Sequence, residues 1–165
     1  MEMGEKVEYC GQLLRAYEKL KSSSLPIYSC GSPATEAIVC EIESIMGYGM
    51  PDAVREFMKM FGKLDVGSVV PGFVKEDMIE HYSSIIRTQR DAAEFGYARD
   101  RYLVVYRDDI EKGALLCDGT PNPPVVRIFP CHANDIELPV IFASFTDMVS
   151  ELVDLGIWVR SEVDD

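Results

Sequence analysis

Apolar positions recur at helical spacing through the first sixty residues and at strand spacing later, so the chain divides into a helical opening and a β-rich centre. From Glu5 to Lys21, the residues Val7, Cys10, Leu13, Leu14, Tyr17 and Leu20 predict one helical face. Glu8, Gln12, Arg15, Glu18 and Lys19 fall elsewhere. Ser22 to Pro26 breaks this helix. Ser32-Pro33 starts a second from Ala34, with Ala37, Ile38, Ile42, Ile45 and Met46 as its apolar set and Gly47 as its end. Pro51 then suits the first turn of a third helix, because that position needs no backbone N–H. Its stripe is Val54, Phe57, Met58 and Phe61, and Gly62 stands where a left-handed cap is expected.

Val69 to Phe73 predicts a turn, Met78 to Arg87 a further helix, and Gln89 to Asp100 a polar continuation with a break near Gly96. Two short apolar runs, Tyr102–Tyr106 and Ala114–Cys117, flank the polar stretch Arg107 to Gly113 and predict an antiparallel hairpin. The prolines of Asp118 to Pro124 remove backbone donors, so this segment is expected as a surface loop. Val125–Phe129 predicts a third strand and Pro139–Phe142 a short edge segment, with a polar connection from Pro130 to Leu138 between them. Ser144 with Asp147 three residues on reads as a helix-opening box. The helix that follows buries Phe145, Met148, Val149, Leu152 and Val153 and is expected to stop at Gly156, with Ile157-Trp158-Val159 returning as a strand. The pattern sums to an α+β fold in which helices cover an antiparallel sheet.

At 165 residues and 47% hydrophobic, the chain supports one cooperative core. The net charge of -12 argues against a nucleic-acid or anionic-membrane partner and fits a basic protein partner. From Ala133 onward, eight acids face Arg160 alone, a net of -7 in the last fifth of the sequence. Five cysteines form no CxxC pair, and there is no signal-like or membrane-spanning stretch, so reduced thiols and a cytoplasmic location are expected.

Catalytic patterns are weak. Cys131 adjoins His132, but neighbours on an extended segment point to opposite sides and make a poor nucleophile–base pair. His81 and His132 are the only histidines, no Cys/His spacing repeats, and Asp108, Asp109, Glu111 and Asp118 lack the alternation of a calcium loop. Gly47 and Gly49 do not extend to a phosphate-binding loop. Arg87, Arg90, Arg99, Arg101 and Arg107 are interleaved with acids and read as an ion-paired surface. No cofactor, no metal and no enzyme activity are expected.

From roughly Ala34 to Leu155 the chain resembles the SUKH superfamily, the fold of fungal Smi/Knr cell-wall regulators and of many bacterial immunity proteins. The resemblance rests on a helix rich in acids (Glu36, Glu41, Glu43) followed by the turn Gly47 to Pro51. The aromatic helix from Phe57 to Gly62, a D-x-x-G-like hairpin at Asp109 to Gly113, and Ala143-Ser144-Phe145 before the last helix complete it. Met50 stands where leucine is usual, and the stretch from Lys63 to Arg101 exceeds a typical insert. The division implied is residues 1–33 as an added helix and connector, and 34–165 as a SUKH-like domain folding as one unit with it. The resemblance implies a non-catalytic domain that neutralises a toxin, often a nuclease, by covering its basic surface. The alternatives are a regulatory or scaffold module of the Smi/Knr type and an enzyme with an unrecognised carboxylate site. The partner-binding residues expected are Asp108, Asp109 and Glu111 at the hairpin tip, Asp118 beside it, Asp135 and Glu137 in the last loop, and Tyr106 as an aromatic anchor.

Overall fold

The computed structural model describes residues 3–23, 33–62, 64, 102–107, 112–128 and 138–161. In chain order these form α1 (Met3–Ser22), α2 (Glu36–Met46), α3 (Asp52–Phe61), β1 (Tyr102–Arg107), β2 (Lys112–Leu116), β3 (Val125–Ile128), β4 (Val140–Phe142) and α4 (Phe145–Ser161). The four strands make one antiparallel meander in the order β1-β2-β3-β4. The architecture is α+β, a sheet covered by helices. The helix expected at Met78–Arg87, the turn at Val69–Phe73 and the arginine-bearing segment before Arg101 lie outside the described residues.

Helix α3 buries Ala53, Val54, Phe57, Met58 and Phe61, the stripe its spacing predicts. The Phe57 ring stacks on Phe61 at 4.8 Å and meets the edge of Phe145 at 5.5 Å. Tyr17 of α1 packs edge-on against Phe61 at 5.2 Å, so one aromatic chain joins α1, α3 and α4. Leu103 and Val105 of β1, Leu115 of β2, Cys117 just after it, and Val125 of β3 supply the sheet's share of the same core.

Helix α1 is part of this core. Tyr9, Leu13, Ala16 and Leu20, at spacings of four, three and four, are its buried residues. Val7 and Leu14, expected inside, are 72% and 47% exposed, and Cys10 and Tyr17 are half-buried. The helix is turned because α3 and α4 both pack on it, and the small Ala16 suits close approach. Gln12 contacts Asp147 while Lys19 contacts Asp154, so positions advance together and α1 runs parallel to α4.

Two further expectations need correction. Helix α2 starts at Glu36, capped by the Thr35 hydroxyl accepting the Ile38 N–H. It buries Val39 and Ile42, leaving Ala37 exposed. Its end at Gly47 is as predicted, with φ 76° and the Gly47 N–H donating to the Glu43 carbonyl; Gly62 also has positive φ, but its ψ of -62° lies outside the left-handed helical well. Helix α4 does not stop at Gly156, and residues 157–159 are helical, not a returning strand. A helical glycine costs about 1 kcal/mol, which the packing of Ile157, just beyond it, against the core offsets.

Tyr9 is 1% exposed, and its hydroxyl makes no hydrogen bond of ordinary geometry among the described residues. Burial, reinforced by the nearby Asp52 carboxylate, pushes its pKa from 10.0 up to about 12. The stability contributed by the neutral phenol is therefore complete below pH 10 and is lost as the pH rises through about 12. In a base titration followed by tyrosinate absorbance and circular dichroism, the wild-type protein is expected to unfold within that window. Tyr9→Phe should hold to higher pH, and identical curves would contradict this assignment.

Candidate partner-binding site

The strand register fixes how the predicted acidic positions relate to each other. Arg107 pairs with Lys112, and Lys112 with Ile128, so three neighbouring strands end together. The β1–β2 link carrying Asp108, Asp109 and Glu111 and the β3–β4 link carrying Asp135 and Glu137 leave from this one end of the meander. The five acids themselves lie outside the described residues. Tyr106 pairs with Gly113 in the last part of β1, next to the same end.

Asp118 is not beside the hairpin link. It follows β2 at the opposite end of the ladder, where Tyr102 pairs with Leu116, and a five-residue strand of about 17 Å separates the two. Its carboxylate accepts the Thr120 N–H at 2.9 Å, closing a turn around Gly119 with φ 100°. That hydrogen bond holds the Asp118 carboxyl below its usual pKa range while the side chain stays exposed.

The loop that Asp118 opens proves to be a helix clasp as well as a surface loop. Its tip, residues 118–120, is exposed, but Pro123 is buried. The Pro121 carbonyl accepts the Ala53 N–H at the start of α3, and the Pro123 carbonyl accepts the Phe145 N–H at the start of α4, both at 2.9 Å. One loop thus satisfies orphan donors of two helices. The Asn122 side chain accepts the Thr146 N–H at 3.2 Å and donates to the Thr146 hydroxyl at 2.9 Å. Thr146, fully buried, donates to the Gln12 side-chain carbonyl of α1, and the Gln12 amide reaches Asp147 at 3.4 Å. Ser144 and Asp147 form the expected box: the Asp147 N–H donates to the Ser144 hydroxyl at 3.1 Å, and that hydroxyl donates to the Asp147 carboxylate at 2.7 Å. The Ser-x-x-Asp spacing marked the box, whereas nothing in sequence order linked Gln12 or Asn122 to Thr146.

Three acids on α2 and α3 are held in ion pairs within the fold. Arg55 pairs with both Glu36 and Glu43, and Lys59 reaches Glu36 at 2.5 Å and Glu56 at 3.5 Å. The Lys59 hydrogen bond draws the Glu36 carboxyl below its usual range. Glu43 also accepts the Met50 N–H at 2.8 Å, which ties the Gly47–Pro51 turn to α2. Glu36 and Glu43 are therefore framework acids, whereas Glu41 between them is exposed and joins no ion pair among the described residues.

Among the described residues, no group of three His, Cys, Asp or Glu side chains gathers to hold a metal ion. Cys10, Cys40 and Cys117 form no disulfide among the described residues, and Cys131, His132 and His81 lie outside them. No described helix is long and apolar enough to cross a membrane.

The model of the SMI1 / KNR4 family (SUKH-1) matches residues 33–151, from the connector before α2 into α4. Helix α1 precedes the matched region. No curated protein matches the chain.

Proposed function

We propose that this chain, which belongs to the SMI1 / KNR4 family (SUKH-1), is a non-catalytic protein-binding domain that neutralises a cognate bacterial toxin in the cytoplasm by covering its basic active surface. Family membership supports an interaction or immunity domain. The observation that carries the acidic-inhibitor reading is the net charge of -12. Arg55 and Lys59 engage Glu36, Glu43 and Glu56, so these acids are already committed to ion pairs within the fold. The proposed contact surface is the end of the meander whose links carry Asp108, Asp109, Glu111, Asp135 and Glu137, with Tyr106 as an anchor beside them. Asp118 is a more distant contributor at the other end. Carboxylates spaced along such a surface steer a basic protein towards it and stand in for the phosphates of a nuclease substrate.

With the bound partner in hand, the test is stopped-flow association at several salt concentrations. Reversal of the five acids of the two links to lysine should slow association about 10-fold or more at low salt and flatten its salt dependence, with a smaller effect on dissociation. Asp118→Lys alone should have a much smaller effect on both. Unchanged kinetics in the five-residue variant would rule this surface out.

A further inference from the structure

Helix α1 carries two stripes at the same spacing. Tyr9, Leu13, Ala16 and Leu20 enter the core; Val7, Gly11, Leu14 and Glu18 repeat the four, three, four spacing on the side turned away from it. Val7 is 72% and Leu14 47% exposed, two of the four large apolar side chains exposed among the described residues. Among the described residues, only the flexible end of Arg15, 3.4 Å from where a Cβ would sit, stands over Gly11. A second helix can therefore approach closely there.

We infer that this stripe is a contact surface for a second copy of the same chain, with two α1 helices pairing antiparallel across a twofold axis. The charges flanking the stripe select both the occupant and the direction. Glu8 and Arg15 are exposed, lie two turns apart on one flank, and make no ion pair among the described residues. In an antiparallel pair, residues of the same flank face one another, so Glu8 of each copy meets Arg15 of the other. The same register sets Leu14 over Gly11 of the second copy and Val7 along the stem of its Glu18. A parallel pair would set Glu8 and Arg15 against the other flank, where Cys10 and Tyr17 stand, and neither charge would find a partner. Self-complementarity of this kind is what a twofold contact requires.

A contact between two 20-residue helices falls below the about 1,200 Å² of a standard interface, so a weak dimer with a dissociation constant of about 0.1–1 mM follows. Sedimentation equilibrium on the full chain, from about 10 µM to 2 mM, is the test. The weight-average mass should rise from 18.5 kDa towards twice that value. Leu14→Glu, at an exposed site that leaves the helix content unchanged, should weaken association at least about 10-fold. Glu8→Arg and Arg15→Glu should each weaken it about 3-fold or more, and the double exchange should restore it to within about 2-fold. A monomer across the whole range would overturn the inference, including the case in which the stripe is shielded only by a different protein. So would a dimer indifferent to Leu14→Glu, or a double exchange that fails to restore association.

Discussion

Phe57→Ala is expected to lower the stability of the domain by about 4 kcal/mol, the middle of the range for truncating a buried phenylalanine. The ring is fully buried, stacks on Phe61 and receives the edge of Phe145. Its removal leaves a cavity at the junction of α3 and α4, and through Phe61 it loosens the hold on Tyr17 of α1. Rigid helices on either side cannot both close on the gap. For a chain of this length the melting temperature should fall by about 8–16 °C. Phe57→Leu, which keeps most of the volume, should cost less than about 2 kcal/mol. Thermal or urea unfolding of both variants checks this, and equal losses would contradict the stacked geometry.

Thr146→Val should cost about 2 kcal/mol although it changes shape very little. The Thr146 hydroxyl is buried between the Gln12 carbonyl, to which it donates, and the Asn122 amide, from which it accepts. Valine fills the space and leaves both partners short of a bond. Those partners belong to α1 and to the loop after β2, so the damage extends beyond α4. Hydrogen exchange should speed up at Ala53 and Phe145, whose N–H groups the same loop accepts. Thr146→Ser retains the hydroxyl and should recover most of the loss. If valine and serine behaved alike, the network would not be holding these elements together.

The sequence pattern was most informative where a local rule and the tertiary environment agree. The stripe of α3, the Ser144–Asp147 box, the Gly47 end of α2 and the β1–β2 hairpin each follow from short-range periodicity or turn chemistry. It was misleading where tertiary contacts decided the outcome. Helix α1 has apolar residues around more than half its circumference, so periodicity alone could not choose between the side of Tyr9 and Ala16 and that of Val7 and Leu14. Gly156 is a reasonable stop signal locally, yet packing carries α4 through it to Ser161. The Asp118–Pro124 segment reads as a loop because prolines cannot pair in a sheet. Its carbonyls remain free to accept, and the fold uses them to cap two helices. For the candidate site, strand register shows that links far apart in sequence leave one end of the meander, while Asp118, close in sequence to the hairpin, leaves the other.

The measurement that bears most directly on function is capture of partners from the native host's lysate on the purified chain, at low and at high salt, read by mass spectrometry. The account predicts a basic toxin domain retained at low salt, lost as salt rises, and absent when the five acids of the two links are reversed. Recovery of housekeeping clients alone, with retention indifferent to salt and to those reversals, would contradict it and favour a regulatory module of the Smi/Knr type.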